Sequence, residues 1–191
     1  MSLLASEIPI RKAQMRLEMK ARRALLDESA RARASWLASD TLGDWLQSRS
    51  ETRIALYLAR PFEVNLDALA RELLREGRTL CAPRVDVAAG TMNFTRLLDL
   101  DAVTRGSWGV REPMTDETVQ PEIVLAPGLG FDKNGRRLGT GGGWYDRVLA
   151  DIPTKVGVIF RGQIAEEIPV EAHDISMDWV ASDEALVRCG A

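Results

Sequence analysis

A chain of 191 residues with 46% apolar and 28% charged side chains has ordinary globular composition and length enough to bury a core, as one domain or two small ones. Its formal net charge of −3 argues against a general nucleic-acid binder, which is usually basic, while leaving room for a local cationic site. Two cysteines, Cys81 and Cys189, stand far apart in no CxxC pattern, which suits a reducing, cytosolic compartment and gives no sign of a structural metal.

In chain order, the opening MSLLASEIPIRKAQ has no long apolar run behind a basic start, so no secretory leader is expected. No apolar run approaches the ~18 residues a membrane helix needs, and a cytoplasmic protein without membrane or nucleic-acid partners is expected. Residues 9–28 carry Ile10, Ala13, Leu17, Ala21, Ala24 and Leu25 at helical spacing. A second helix over 30–48 shows Ala34, Leu37, Thr41 and Trp45 on one face. RIALYL at 53–58 reads as a strand. Leu66, Leu69, Ala70, Leu73 and Leu74 mark an amphipathic helix, with Asn65 as cap and Gly77 as stop. TLCAP at 79–83 is the next strand. Residues 85–121 are less regular, with a strand at 92–94. EIVLAP at 122–127 is a strongly apolar strand, 144–150 reads as a helix, and KVGVIF (155–160) and DWVASD (178–183) are further strands. Strands alternating with helices predict an α/β fold: a three-layer, Rossmann-like single domain with a largely parallel sheet. Basic helices over about 9–48 precede an α/β core over about 52–190. Ligands of such sheets bind at the carboxyl edge of the strands.

The charge is uneven. Residues 11–33 hold eight basic side chains against three acidic ones, a balance of +5 in a chain of net −3. A solvated helix face explains that, and so does an anion site, since Lys12 and Arg16 are four apart and share a face. The segment FDKNGRRLGTGGGWYDR then places four glycines within residues 139–143, bracketed by arginines. Glycines allow a ligand close to the backbone, and successive amides converge on an anion as in a nest. Arg136 and Arg137 add fork-shaped donors suited to phosphate oxygens. A helix starting at Trp144 would add its positive end, and Asp146 in its first turn would cap amides or hold magnesium. No Lys-Ser or Lys-Thr follows the last glycine, so this is not a Walker A loop, and the glycine spacing is not the dinucleotide fingerprint. A plain strand-to-helix turn is the competing explanation. The flanking arginines and Asp146 favour the anion site.

RRLGTGGGWYDR resembles the signature of the 5-formyltetrahydrofolate cyclo-ligase family. VLAPGLGFDKNG, the basic opening KAQMRLEMKARRALL, IALYLARPFEVNLDAL, WGVREP and IPVEAHDISMDWV resemble the family's other landmarks in the same order, so the resemblance spans nearly the whole chain. It implies conversion of 5-formyltetrahydrofolate and ATP to 5,10-methenyltetrahydrofolate, ADP and phosphate, with magnesium. The family usually has tyrosine where this chain has Trp144, which implies a changed stacking surface. By resemblance, Lys12 and Arg16 are ATP-binding positions on the first helix. Arg137, Leu138, Gly139, Thr140, Gly141, Gly142, Gly143, Trp144 and Tyr145 are the ATP loop. Gly141, Gly142, Gly143, Trp144 and Tyr145 also face the folate, together with Leu58 and Glu63. Arg137 and Tyr145 are implied in catalysis, and Asp146 and Asp178 as metal ligands. A carboxylate at Glu63 suits the paired donors of an aminopyrimidine edge. Leu58 as a strand-end leucine equally reads as core.

The remaining candidates read as structural. His173 orders a loop through its HD pair or transfers a proton. Trp36, Trp45 and Trp179 read as packing residues. Trp108 lines the folate pocket or decorates a loop, and Gln163 is a substrate contact by resemblance alone. Cys81 reads as a buried strand residue. A monomer is expected. Two rival functions stay open: another nucleotide-using α/β enzyme, such as a sugar-phosphate isomerase-like protein, or a non-catalytic nucleotide- or RNA-binding module whose binding would fall steeply with salt.

Overall fold

The computed structural model describes residues 6–190. Helices α1 (Ile8–Ala24) and α2 (Glu28–Gln47) open the described chain, then come β1 (Arg53–Leu56), α3 (Asp67–Arg75), β2 (Thr79–Asp86) and β3 (Thr91–Arg96). A short hairpin of β4 (Val103–Arg105) and β5 (Arg111–Pro113) precedes β6 (Ile123–Pro127), and a second one joins β7 (Gly130–Phe131) to β8 (Arg137–Leu138). β9 (Thr154–Val158), β10 (Trp179–Ala181) and β11 (Leu186–Arg188) complete the chain. Seven strands form one sheet in the order β11-β10-β9-β6-β1-β2-β3. The five inner strands run parallel, and β3 and β11 are antiparallel edges. No helix of the described residues is long and apolar enough to cross a membrane.

The parallel core follows from the apolar runs. Ile54, Ala55 and Leu56 of β1, and Ile123 to Ala126 of β6, are buried on both faces, as strands covered on two sides must be. On one face, Ile54, Leu56, Leu80 and Leu125 pack against Ala38 and Leu42 of α2 and Leu69 and Leu73 of α3. On the other, Ala55, Cys81, Val124 and Ala126 pack against Phe131, Leu149 and Ile152. The helix expected over 144–150 is absent: that stretch is a series of turns closed by a 3₁₀ turn at Leu149–Asp151. The covering layer here is irregular chain, and no helix dipole supports the glycine loop.

The faces of the first two helices also differ from expectation. α1 buries Lys12, Met15 and Met19, while Ile10, Leu17 and Leu25 are exposed. Its inward stripe mixes methionine with cations because it borders a polar cavity as well as a small cluster of Leu129, Leu138, Ala165 and Ile168. In α2, Ala34 is buried as expected, but Leu37 and Trp36 turn outward, so Trp36 is not a packing residue. Trp45 and Trp179 do pack, with ring centroids 5.8 Å apart. Asn65 caps α3 from just outside, its Oδ1 accepting from Asp67 N–H at 2.8 Å, and Gly77 ends that helix with φ +81°.

Chain direction along the sheet reverses between β1 and β6. From β1 the chain moves outward through β2 and β3, and from β6 it moves the other way through β9 and β10. A crevice opens at the carboxyl ends of strands at such a switch point. The β7–β8 hairpin stands over it, tied down by Asp132. This buried carboxylate accepts N–H bonds from Asn134 (2.9 Å), Arg136 (3.1 Å) and Ile168 (2.9 Å). Replacing Asp132 by alanine strands three amide donors, and a loss of about 3 kcal/mol is expected in urea denaturation. An unchanged midpoint would show that the hairpin is held by other means.

Candidate active site

A cavity of about 460 Å³ occupies the switch point, a size that suits a small-molecule site. Segments far apart in the chain contribute to it. α1 presents Lys12 and Arg16, the end of β1 presents Tyr57 and Leu58, and the loop before α3 presents Arg60 and Glu63. The turn between β4 and β5 adds Trp108. The glycine loop contributes Arg137 through Asp146, and a late loop adds Glu171, His173 and Asp174.

The loop's geometry explains its composition. Gly141 adopts φ +108° and Gly143 φ +65°, a left-handed backbone that side chains disfavour. A Cβ on Gly141 would sit 3.6 Å from the Arg16 guanidinium, whose Nε donates to the Gly139 carbonyl at 3.0 Å. The loop is thus seated on α1. Arg137 lies over the Tyr145 ring at 5.4 Å and donates from Nη2 to Asp146 Oδ2 at 2.7 Å. Lys12 donates from Nζ to Glu171 Oε2 at 2.9 Å and Asp174 Oδ2 at 2.5 Å.

At the other end the cavity turns aromatic. Trp108 and Trp144 meet with centroids 5.8 Å apart at 53°, and Arg147 covers Trp144 at 4.6 Å. Trp108 holds φ +56°, a conformation that costs of order 1–3 kcal/mol in a non-glycine residue and concentrates at functional sites. Glu63, with its side chain nearly buried, is clasped by Arg60: the backbone N–H donates to Oε2 at 2.9 Å, and Nε and Nη2 donate to Oε1 at 3.1 and 2.9 Å. Tyr57 donates its hydroxyl to the Val64 carbonyl at 2.7 Å, fixing the loop that carries Glu63. Leu58 is both a core residue and a cavity wall.

Three expected residues lie elsewhere. Asp178 precedes β10, at the amino edge of the sheet. Its Oδ2 accepts from Lys155 N–H at 2.7 Å and pairs with Lys155 Nζ at 3.2 Å. A residue before a parallel strand sits a strand length away from the carboxyl edge, so Asp178 is not a cavity residue. Arg136, one position from Arg137, faces the other way and donates to Glu167 at 2.8 Å. Gln163 is buried structure, donating from Nε2 to the Leu129 carbonyl at 2.8 Å. In place of Asp178 the structure brings Asp174 to the cavity, next to Ile175, whose N–H makes a long 3.5 Å contact with Asp146 Oδ1. Glu171, Asp174 and Arg60 lie in family-like segments but carry no local pattern that separates them from ordinary loop residues, while Trp108 takes the pocket-lining one of its two expected places. The HD pair at His173 and Asp174 was the only signal, and His173 itself is exposed at the rim.

A largely parallel sheet, a glycine loop seated beside arginines at the switch point and an aromatic end wall define an α/β protein with a small-molecule cavity that is charged at one end and flat and aromatic at the other. The chain belongs to the 5-formyltetrahydrofolate cyclo-ligase family, whose sequence model matches residues 9–183. It is similar to the Mus musculus 5-formyltetrahydrofolate cyclo-ligase, 28% identical and covering 91% of this chain and 94% of that one. The Haemophilus influenzae cyclo-ligase is also 28% identical over 87% and 95%. Among solved structures, the Aquifex aeolicus 5,10-methenyltetrahydrofolate synthetase superposes with a TM-score of 0.83 at 30% identity, covering 94% and 93%. The Mycoplasma pneumoniae synthetase, at 22% identity and a TM-score of 0.74, shares the fold.

Burial raises the phenols of both Tyr145 and Tyr57 above their ordinary value of 10.0, with Glu63 adding to the shift in each. They are the only two tyrosines in the chain. A phenol that holds its proton more tightly folded than unfolded loses stability as pH rises past the unfolded value. Absorbance at 295 nm should therefore stay flat to about pH 10.5 and then rise together with alkaline unfolding. A tyrosinate titrating near pH 10 in folded protein would show that one ring is solvated.

Proposed function

We propose that this protein is an ATP-dependent 5-formyltetrahydrofolate cyclo-ligase that forms 5,10-methenyltetrahydrofolate with release of ADP and phosphate. The carrying observation is that one cavity holds the glycine loop and the α1 cations at one end and Glu63, Leu58 and the tryptophan pair at the other. Ring closure has to expel the formyl oxygen, and oxide is a very poor leaving group. Attack of that oxygen on the γ-phosphorus forms an O–P bond and releases ADP, giving a phosphorylated imidate. The second folate nitrogen, N10, then adds to the activated carbon and loses its proton. Phosphate departs carrying the formyl oxygen. Such a reaction demands positioning and charge stabilisation and needs no protein nucleophile.

Each residue has a place in this scheme. Lys12, Arg16, Arg137 and the amides of Leu138, Gly139, Thr140, Gly141, Gly142 and Gly143 hold the ATP phosphates. Arg137 neutralises the charge of the phosphoryl group in flight. Trp144 and Tyr145 stand where the two ligands meet, and the neutral Tyr145 phenol serves as a donor and not as a base. Glu63 takes the aminopyrimidine edge of the pterin, held in orientation by Arg60. Leu58 and Trp108 give the ring apolar and aromatic surface. Trp144 offers a broader plane than tyrosine would.

Oxygen donors such as Asp146 and Asp174 fit magnesium, which favours one or two carboxylates completed by substrate phosphates and water. Bound there, the ion would neutralise charge on the β- and γ-phosphates. The metal position expected at Asp178 moves to Asp174, because Asp174 shares the cavity with Asp146.

The assay is growth of the near-ultraviolet band of the methenyl product from 5-formyltetrahydrofolate. The band should require both ATP and a divalent cation. Arg137→Ala, Asp146→Ala and Asp174→Asn should each lower kcat about 100-fold or more, while Asp178→Asn stays within a few-fold of the parent. If nucleotide binds but no band grows, the loop assignment stands and the substrate is another molecule. If Asp178→Asn inactivates and Asp174→Asn does not, the metal belongs at Asp178.

A further inference from the structure

Five cationic and five carboxylate side chains line the cavity, so a pocket proposed to take a polyanion has no net positive charge of its own. The compensation is specific. Lys12, its side chain 6% exposed, is bound by both Glu171 and Asp174. Arg137 is bound by Asp146, with side-chain exposures of 7% and 14%. The cations best placed for phosphate are held by the carboxylates best placed for a metal. Separating one partner of such a pair leaves the other uncompensated in a poorly solvated site, which is strongly unfavourable. Arg16 differs: its Nε meets a neutral carbonyl, and among the described residues no carboxylate forms an ion pair with it.

A nucleotide arriving alone has to draw Lys12 and Arg137 away from their carboxylates and leave three acids beside its own phosphates. A divalent cation arriving alone has to take Asp174 and Asp146 and leave two cations facing it. When both arrive, phosphate replaces carboxylate around the cations, and the metal replaces the cations around the carboxylates. No charge is stranded.

We propose that Lys12 is a two-position switch that makes metal and nucleotide phosphate bind as one unit. In the ligand-free protein it occupies Asp174 and Glu171 and suppresses metal binding. Once the metal takes Asp174, it turns to the phosphate. Glu171 is a positioning residue that holds Lys12 in the first position, and Arg16 is the cation open to first contact. This rests on the nucleotide and metal assignments made above and adds to them an inhibitory role for a lysine otherwise read as a plain ligand. Reciprocity requires the metal to strengthen nucleotide binding by the same factor as the nucleotide strengthens metal binding.

The test uses the full chain without folate, with Mn²⁺ as the probe metal, free Mn²⁺ measured by electron paramagnetic resonance and a non-hydrolysable ATP analogue by calorimetry. In the parent protein each ligand should tighten the other about 10- to 100-fold. In Lys12→Met, Mn²⁺ alone should bind about tenfold more tightly than to the parent and the mutual tightening of Mn²⁺ and analogue should shrink by a similar factor, whereas loss of a plain phosphate ligand would weaken the analogue and leave that coupling intact. Binding of the analogue should weaken in the same variant. In Glu171→Gln, which keeps Lys12, the analogue without metal should bind several-fold more tightly. Mn²⁺ affinity unchanged or weaker in folded Lys12→Met overturns the switch. If that variant does not fold, unaltered metal-free analogue affinity in Glu171→Gln overturns it instead. Failure of the parent protein to bind the analogue with or without Mn²⁺ overturns the nucleotide assignment as well, which separates the two failures.

Discussion

The buried Lys12 ammonium is the point where the two ends of the chain meet. Its carboxylate partners lie 159 and 162 residues away, and they join α1 to the loop that follows β9. α1 buries Met15 and Met19 as apolar anchors, and the Lys12 pairs fix which side of the helix faces the cavity. Met15 and Met19 on the cluster of Leu129, Leu138, Ala165 and Ile168, and Arg16 on the Gly139 carbonyl, hold the same wall beside it. The Lys12 contact places a cation, two carboxylates and the seat of the glycine loop within one small volume.

The sheet does the rest. Its switch point puts the ends of β1 and β6 side by side, and the chain leaving each strand becomes a ligand-facing loop: Leu58 to Glu63 from one, and the hairpin with the glycine loop from the other. Asp132 pins the hairpin, and Arg16 pins the loop's backbone through Gly139. The loop therefore presents its amides without a helix behind it. No helix begins at the glycine loop, so its amides are presented by the loop backbone alone.

The aromatic end is organised differently. Trp108 and Trp144 come from segments 36 positions apart and meet only because the β4–β5 turn folds back over the glycine loop. Arg147 completes the stack and also ties it to the tip of the β2–β3 hairpin through the Gly90 carbonyl at 2.9 Å. Tyr145 and Arg137, in contact with each other at 5.4 Å, line the same cavity as this stack.

Local signals carried the parallel strands, α3 with its Asn65 cap and Gly77 stop, the glycine loop, and the pairing of Lys12 with Arg16 on one helix face. Each depends on spacing within a few residues, which is where periodicity and turn chemistry act. Local spacing misjudged the inward face of α1, because apolar Ile10 and Leu17 stood out while the cavity demanded Lys12 and the methionines. It proposed a helix over 144–150, where the tertiary structure needs an irregular cover for Val124 and Ala126. The resemblance implied Asp178 as a metal ligand, yet it is Asp174, four positions earlier, that lines the cavity, because Asp178 opens a strand at the amino edge while Asp174 lies in a loop at the carboxyl edge. Which acid faces the cavity is decided by strand direction and register across the sheet. That information exists only once distant segments have paired.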